Sequence, residues 1–163
     1  MKKKVLIFAI LMLLGIVLII SIVFAVSAQE NINYKTQLAD QIFRGSLSQA
    51  QSGFAMDYSK MNEDEKIFYY LKTSSSLSSA INMIDLTSYN NKKNRNNLFD
   101  AIYSLYWCMT QSDSRAAILA KEDIIYKYLT QIMLNPDDEK DCKALSKLAG
   151  GIYSNNYLRG GLN

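Results

Sequence analysis

Histidine is absent from this chain of 163 residues, and its absence excludes several kinds of active site. Nucleophilic serine or cysteine sites that use an imidazole base cannot form, and zinc sites lose their commonest ligand. The acidic clusters at residues 63–65 and 137–139 fall in the first turns of predicted helices, where the helix dipole favours negative charge. Phosphate-binding glycine loops, calcium-binding loops and CxxC pairs are also missing. We therefore predict no enzymatic activity, no cofactor and no metal site.

Proline occurs once and glycine seven times, so the two residues that most often interrupt helices are rare. Long stretches repeat apolar residues every three or four positions, which indicates amphipathic helices. We predict an all-α fold, in which a single N-terminal transmembrane helix is followed by an extracytoplasmic bundle of four to five helices. About 135 residues remain outside the transmembrane helix, enough for one domain with its own core.

The net charge is also small, +3, because 18 basic residues face 15 acidic ones. The excess equals Lys2, Lys3 and Lys4 at the N-terminus, so the rest of the chain is formally neutral. A nucleic-acid-binding domain needs a basic face that neutralises phosphates. We predict that nucleic acid is not a partner of this protein.

An uninterrupted apolar run covers residues 5–26, and seventeen of its 22 residues are Leu, Ile, Val or Phe. A helix of that length extends about 33 Å, enough to cross a hydrocarbon core about 30 Å thick. The basic flank, residues 1–4, is predicted to stay in the cytoplasm under the positive-inside rule, which places the following domain outside. Ser21 and Ala25 form a small-residue pair through which two such anchor helices could pack.

A cleaved signal peptide is the alternative explanation of the same run, because small residues precede a cleavage point after Ala28. Signal peptides have apolar regions of about 7 to 15 residues, and this longer run favours an uncleaved anchor. Either outcome exports the domain, as part of a membrane protein in the first case and as a secreted protein in the second.

The helical domain is predicted to cover residues 29–152, with a partly disordered tail at residues 153–163. Its first helix continues from the anchor to a turn at residues 51–53, and its apolar stripe is Ile32, Leu38, Ile42, Leu47, Ala50 and Phe54. The second helix begins at a capping box and extends to about Leu86, with the apolar positions Ile67, Leu71, Leu77, Ile81 and Ile84. Its serine-rich middle is predicted to let a neighbouring helix pack closely.

Three further helices are predicted in the C-terminal half. The first of them carries apolar residues at spacings of four, three and four, namely Leu98, Ile102, Leu105 and Met109. Aromatic residues on both sides of this stripe place that helix at the centre of the bundle. The next is predicted as one helix from Ser112 or Ser114 to Leu134. The last begins at Asn135 and Pro136 and ends at a glycine pair, residues 150–151.

A polar stretch at residues 87–97 is predicted to be a long surface loop. It carries Lys92, Lys93 and Arg95, which could contact anionic lipid headgroups or anionic wall polymers. The simpler interpretation is a solvated loop without a ligand, and the sequence favours it.

Three aromatic residues of the predicted central helix form a second candidate contact site, Tyr103, Tyr106 and Trp107. An exposed platform of this kind could bind glycan or peptide ligands. The alternative is that these rings are buried in the centre of the bundle, where aromatic side chains contribute most to packing.

Cys108 and Cys142 are the two cysteines, and both fall in the domain predicted to be exported. In an oxidising compartment they could form a disulfide that stabilises the fold by about 4 kcal/mol. The alternative is two buried free thiols, since free cysteine is among the most buried residue types.

These features together predict a membrane-anchored, non-enzymatic helical interaction module, either a subunit of an envelope assembly or a partner-binding ectodomain. Its predicted partners are the lipid bilayer and a protein. A secreted soluble binding protein or effector, released after Ala28, is the alternative. A hydrolase that attacks envelope polymers with carboxylates is a weaker alternative, because no acid lies among the apolar positions of a helix, where a raised pKa is expected.

Overall fold

The computed structural model describes the backbone of residues 2–160 and the side chains of residues 12–154. The protein is 86% helical, with six α-helices and no strand in the described residues. The helices are α1 (Lys2–Phe54), α2 (Glu63–Met83), α3 (Arg95–Thr110), α4 (Ser112–Leu119), α5 (Glu122–Leu134) and α6 (Glu139–Gly160). Short 3-10 helices lie at Tyr58–Lys60 and Ile84–Leu86. The chain divides into two compact units, residues 1–36 and residues 37–163.

The first unit consists of the N-terminal part of α1, which contains one candidate membrane span. An 18-residue window there has a mean hydropathy of 2.5 and no buried residue. This helix is long and apolar enough to cross a membrane, and a signal sequence near the N-terminus meets the same criteria. Ser21 donates its hydroxyl hydrogen to the carbonyl oxygen of Val17 at 2.9 Å, so its one polar group is satisfied within the helix. Ser21 and Ala25 are both exposed, and α1 continues without a break through Ala28.

The part of α1 in the second unit contributes a buried stripe to the core, Ala39, Phe43, Leu47, Ala50 and Phe54. The stripe steps by three and four residues, as one face of a helix requires. The last three positions were predicted. The assignment of Ile32, Leu38 and Ile42 to this stripe is wrong, because all three are exposed. Ile42 is rotated by about 100° from its neighbour Phe43, which occupies the core.

α1 and α2 approach closely through small side chains. Gly53 lies inside the last turn of α1 against Thr73 of α2. The helix ends at Phe54, so the predicted turn begins after residue 54 and not at residue 51. Ser46 donates to the hydroxyl of Ser79 at 3.1 Å, and the buried Ser76 donates to the side chain of Gln49 at 3.4 Å. The prediction that the serine-rich middle of α2 allows close helix packing is confirmed.

The capping box at the start of α2 is confirmed. The side-chain oxygen of Asn62 accepts a hydrogen bond from the backbone N–H of Glu65 at 2.9 Å. The Glu65 carboxylate in turn accepts from the backbone N–H of Asn62 at 3.0 Å. Two otherwise unpaired donors are thus satisfied, and α2 begins at Glu63.

α3 is the central helix of the second unit, as predicted. Its buried residues are Leu98, Ala101, Ile102, Leu105, Cys108 and Met109, which include all four predicted stripe positions. It packs against α2, α4 and α6. Leu105 is fully buried at the middle of this helix.

The single helix predicted up to Leu134 is wrong, because the chain breaks between α4 and α5. The backbone N–H of Lys121 bonds to the carbonyl of Ile118 at 3.0 Å, which closes a turn after α4. Ile118 on α4 and Ile125 on α5 are both buried in the core. Neither glycine nor proline occurs between residues 112 and 134, so the residues that most often end a helix are absent from the break.

α6 begins later and ends later than predicted. Pro136 is buried in a turn, and its carbonyl accepts a hydrogen bond from the side-chain amide of Asn94 at 3.3 Å. Asp138 then accepts from the backbone N–H of Lys140 at 2.8 Å, and the helix begins at Glu139. It passes through both glycines because Ile152 and Tyr153 pack against the core. It continues to Gly160, across most of the predicted disordered tail, whose last three residues lie outside the described range.

Candidate interaction surfaces

Three large apolar side chains on α2 face solvent within five residues of one another. Ile67, Phe68 and Leu71 are 51%, 60% and 65% exposed, and we call this trio the α2 ridge. Ile67 and Leu71 were predicted as part of the apolar stripe that faces the core. That assignment is wrong, because the buried face of α2 is centred on Thr73, Ser76, Leu77 and Ala80. At 100° per residue, that face lies almost opposite Phe68 and Leu71.

An open groove of about 570 Å³ lies beside the ridge, between α2 and Tyr106 of α3. We call it the serine groove, since its wall is built largely from Ser74, Ser75, Ser78 and Ser79. A smaller cleft of about 250 Å³ shares Leu71 and Ser74 with it and ends at Arg115. Short hydroxyl side chains leave room for another backbone to approach, whereas Leu71 offers an apolar edge.

Two opposite charges flank the ridge. Asp64 lies four residues before Phe68 and Lys72 lies four residues after it. Both are exposed, and neither forms an ion pair or hydrogen bond with another described residue. The neighbouring Glu63 and Glu65 differ, because the first pairs with Lys66 at 2.7 Å and the second belongs to the capping box.

Arg115 lies at the end of the smaller cleft. No sequence pattern predicted a functional role for it. Its guanidinium lies 4.5 Å from the ring centroid of Tyr70, which stacks on Tyr58 at 5.2 Å. Its Nε donates to the carbonyl oxygen of Met109 at 2.8 Å. The charge of Arg115 therefore ties α4 to the ends of α2 and α3, and an isolated arginine in a helix gives no sequence signal for such a role.

Aromatic rings form a continuous strip along α3, at positions 99, 103 and 107. Phe99 and Tyr103 stack at 5.3 Å between ring centroids, and Tyr103 meets Trp107 edge to face at 6.0 Å. Tyr153 of α6 extends the strip, at 6.1 Å from Trp107. Of the three predicted contact residues, Tyr103 is exposed and Trp107 partly buried in this strip, whereas Tyr106 lines the serine groove.

The polar stretch predicted as a loop at residues 87–97 is non-helical over residues 87–94, and part of it is buried. It forms short turns, and α3 begins at Arg95. Tyr89 is buried, and its hydroxyl accepts a hydrogen bond from Arg44 at 2.8 Å. Asn94 is buried as well and donates to the carbonyl of Pro136. Buried polar groups with partners of their own pin this segment to α1 and α6.

The three candidate basic residues of that segment are in different environments. Lys92 and Lys93 are exposed. Arg95 forms an ion pair with Asp85, and its guanidinium lies 5.3 Å from the ring centroid of Phe99. Two of the three cations therefore face solvent, and the third joins the end of α2 to the aromatic strip.

Cys108 and Cys142 are two separate free thiols in this structure, and both are buried. Cys108 donates to the carbonyl oxygen of Ala149 at 3.2 Å, and the sulfur of Cys142 accepts from the side-chain amide of Asn94 at 3.4 Å. Burial raises the pKa of each thiol to about 11. Since the thiolate is the reactive form, neither sulfur is suited to nucleophilic or redox chemistry at neutral pH.

A thiol titration tests this arrangement. In the folded protein at pH 7, neither cysteine should react with a maleimide, because both sulfurs are buried and protonated. After denaturation without a reductant, two thiols per chain should react. A count of zero in the denatured, unreduced protein would establish a disulfide instead.

Acidic side chains do not form a site of their own. None of the 15 acids is buried, and within residues 12–154 no group of three or more acids or cysteines is placed to hold a metal ion. Comparison with known protein families, curated proteins and solved structures gives no match for this chain. The α2 ridge, the serine groove and the aromatic strip are therefore the candidate interaction surfaces of the described residues.

Proposed function

We propose that this protein is a membrane-anchored, non-enzymatic interaction module that binds a protein partner through the α2 ridge. The observation that carries the proposal is the exposure of Ile67, Phe68 and Leu71 on one helix. Exposure of grouped apolar side chains to water is unfavourable, and a partner that covers them lowers the free energy of the complex. The adjacent serine groove supports helix-in-groove binding, in which an amphipathic helix places its apolar face beside Leu71.

The anchor is the second part of the proposal. An exposed apolar helix near the N-terminus supports a membrane span, and Lys2, Lys3 and Lys4 support a cytoplasmic N-terminus with an extracytoplasmic domain. α1 has no break at Ala28, so a cleaved form would have to lose its first 28 residues from within a helix. Extraction tests this directly, because an anchored protein requires detergent whereas a secreted one is recovered from the medium.

A secreted binding protein is the second candidate, and the aromatic strip is the observation in its favour. Tyr103 is exposed and stacks on Phe99, so a flat ring face is held in place for a glycan or peptide. A Tyr103→Ala variant that loses ligand binding, combined with soluble protein in the medium, would favour this function over the membrane module.

Partner binding is tested with two leucines that are similarly exposed. Leu71 belongs to the ridge at 65% exposure, and Leu134 at the end of α5 is 70% exposed and serves as the control. After crosslinking in intact cells and purification of the full-length protein, Leu71→Ser should lower the recovery of crosslinked protein about tenfold. Leu134→Ser should leave it unchanged. Recovery of the unaltered protein only as an uncrosslinked monomer would refute the proposal.

A further inference from the structure

We propose that the partner of the α2 ridge is a second copy of this chain, bound ridge to ridge as an antiparallel helix pair with twofold symmetry. This inference rests on the proposed function, because it names the occupant of the same surface. A twofold contact uses one patch twice, so the patch must be complementary to itself. The residues around Phe68 meet that requirement.

The charges provide the self-complementarity. Asp64 and Lys72 are each four residues from Phe68, one on either side. When two copies of α2 cross antiparallel at Phe68, Asp64 of each copy lies opposite Lys72 of the other. Each dimer therefore gains two ion pairs from side chains that are exposed and unpaired in the single chain. Phe68 of each copy lies at the crossing point, and Leu71 follows it three residues later at the edge of the contact.

The same charges disfavour the parallel arrangement. With two copies of α2 parallel and in register, Asp64 would face Asp64 and Lys72 would face Lys72. Like charges at close range repel, so the pattern selects one orientation as well as one register. The α2 ridge has three apolar residues, whereas a standard interface uses about 20 to 30 residues on each side. Confinement of both copies to one membrane would raise their effective concentration, which suits a contact of this size.

The test exchanges charges between copies. Full-length chains with two different tags are produced together in membranes, extracted in detergent, and purified through one tag while the other is measured. When both tagged chains carry Asp64→Lys, recovery of the second tag should fall about fivefold or more, because each charge pair becomes repulsive. Lys72→Asp alone should do the same. One chain with Asp64→Lys and one with Lys72→Asp should together restore recovery, since both charge pairs are attractive again.

Control positions lie on α5, where Asp123 and Lys127 are also exposed. Asp123→Lys and Lys127→Asp make the same charge changes away from the ridge and should leave recovery unchanged. Circular dichroism checks that all variants keep their helix content, which is expected because the altered side chains are exposed.

The outcomes separate this inference from the proposed function. Failure of the unaltered chains to copurify, or failure of the mixed pair to recover, overturns the self-pairing. Loss of a different crosslinked protein on Leu71→Ser would then leave the ridge as a binding surface with another partner. If Leu71→Ser loses neither a second copy nor another protein, both proposals fail.

Discussion

Gly53→Ala should lower the free energy of unfolding of the second unit by about 3 kcal/mol. A methyl group at this position would lie 1.9 Å from Oγ1 of Thr73, far inside contact distance. Rotation of the Thr73 side chain does not clear the space, because its Cβ does not move and would remain 3.1 Å away. α1 and α2 would have to separate. Thermal unfolding followed by circular dichroism should show the midpoint lowered by roughly 10 °C.

Gly45→Ala is the matched control in the same helix. No atom lies within 4 Å of a methyl group built there, so the helix gains propensity without a clash, and stability should rise by about 0.5 to 1 kcal/mol. Thr73→Ala should restore at least half of the stability lost in Gly53→Ala, because it removes two of the three clashing atoms. The Thr73 hydroxyl is buried without a hydrogen-bond partner in the described residues, so its removal costs little. A Gly53→Ala protein as stable as the unaltered one would refute the close approach.

Leu105→Ala should cost about 3 to 4 kcal/mol of folding free energy. Leu105 is fully buried in α3, the helix that packs against α2, α4 and α6, so a cavity there cannot be filled by movement of one neighbour. The cost combines the lost transfer of the side chain from water with the cavity that remains. Chemical denaturation of the full-length protein in detergent would measure it.

Leu71→Ala provides the comparison, because it removes the same atoms from an exposed position. Its effect on stability should stay within about 0.5 kcal/mol. Leu105 should therefore be needed for folding, whereas Leu71 should be needed for association. If Leu71→Ala destabilises as much as Leu105→Ala, then Leu71 belongs to the core and the ridge is not a free surface.

Local signals in the sequence predicted the start of α2 and four of the six buried positions of α3. Asn62 and Glu65 satisfy each other's backbone donors through neighbouring atoms only, so their sequence pattern is sufficient. The stripe of α3 is regular because the helix is surrounded by other helices and buries its apolar residues in step. In both places, local preference and tertiary packing agree.

The errors occur where distant contacts decide. The glycine pair at residues 150–151 predicted a helix end, but Ile152 and Tyr153 gain more by packing against the core than the glycines cost. The break between α4 and α5 has no glycine or proline, and the buried Ile118 and Ile125 are seven positions apart, a spacing that an unbroken helix would also place on one face. On α2, small residues such as Thr73 and Ser76 form the buried face while Phe68 faces solvent. Apolar periodicity therefore assigned part of the core stripe of α2 to its solvent-exposed face, and that face is the candidate binding surface.

Trp107 is the single tryptophan of the chain, and its neighbours in the aromatic strip make it an optical reporter. Tyr103, Tyr106 and Tyr153 all have ring centroids within about 6 Å of the indole. Tyr103 and Tyr106 share α3 with Trp107, so light that they absorb should emerge as indole fluorescence whenever α3 is folded. Tyr153 lies on α6, so its contribution to the indole emission reports the contact between α3 and α6 without any added label.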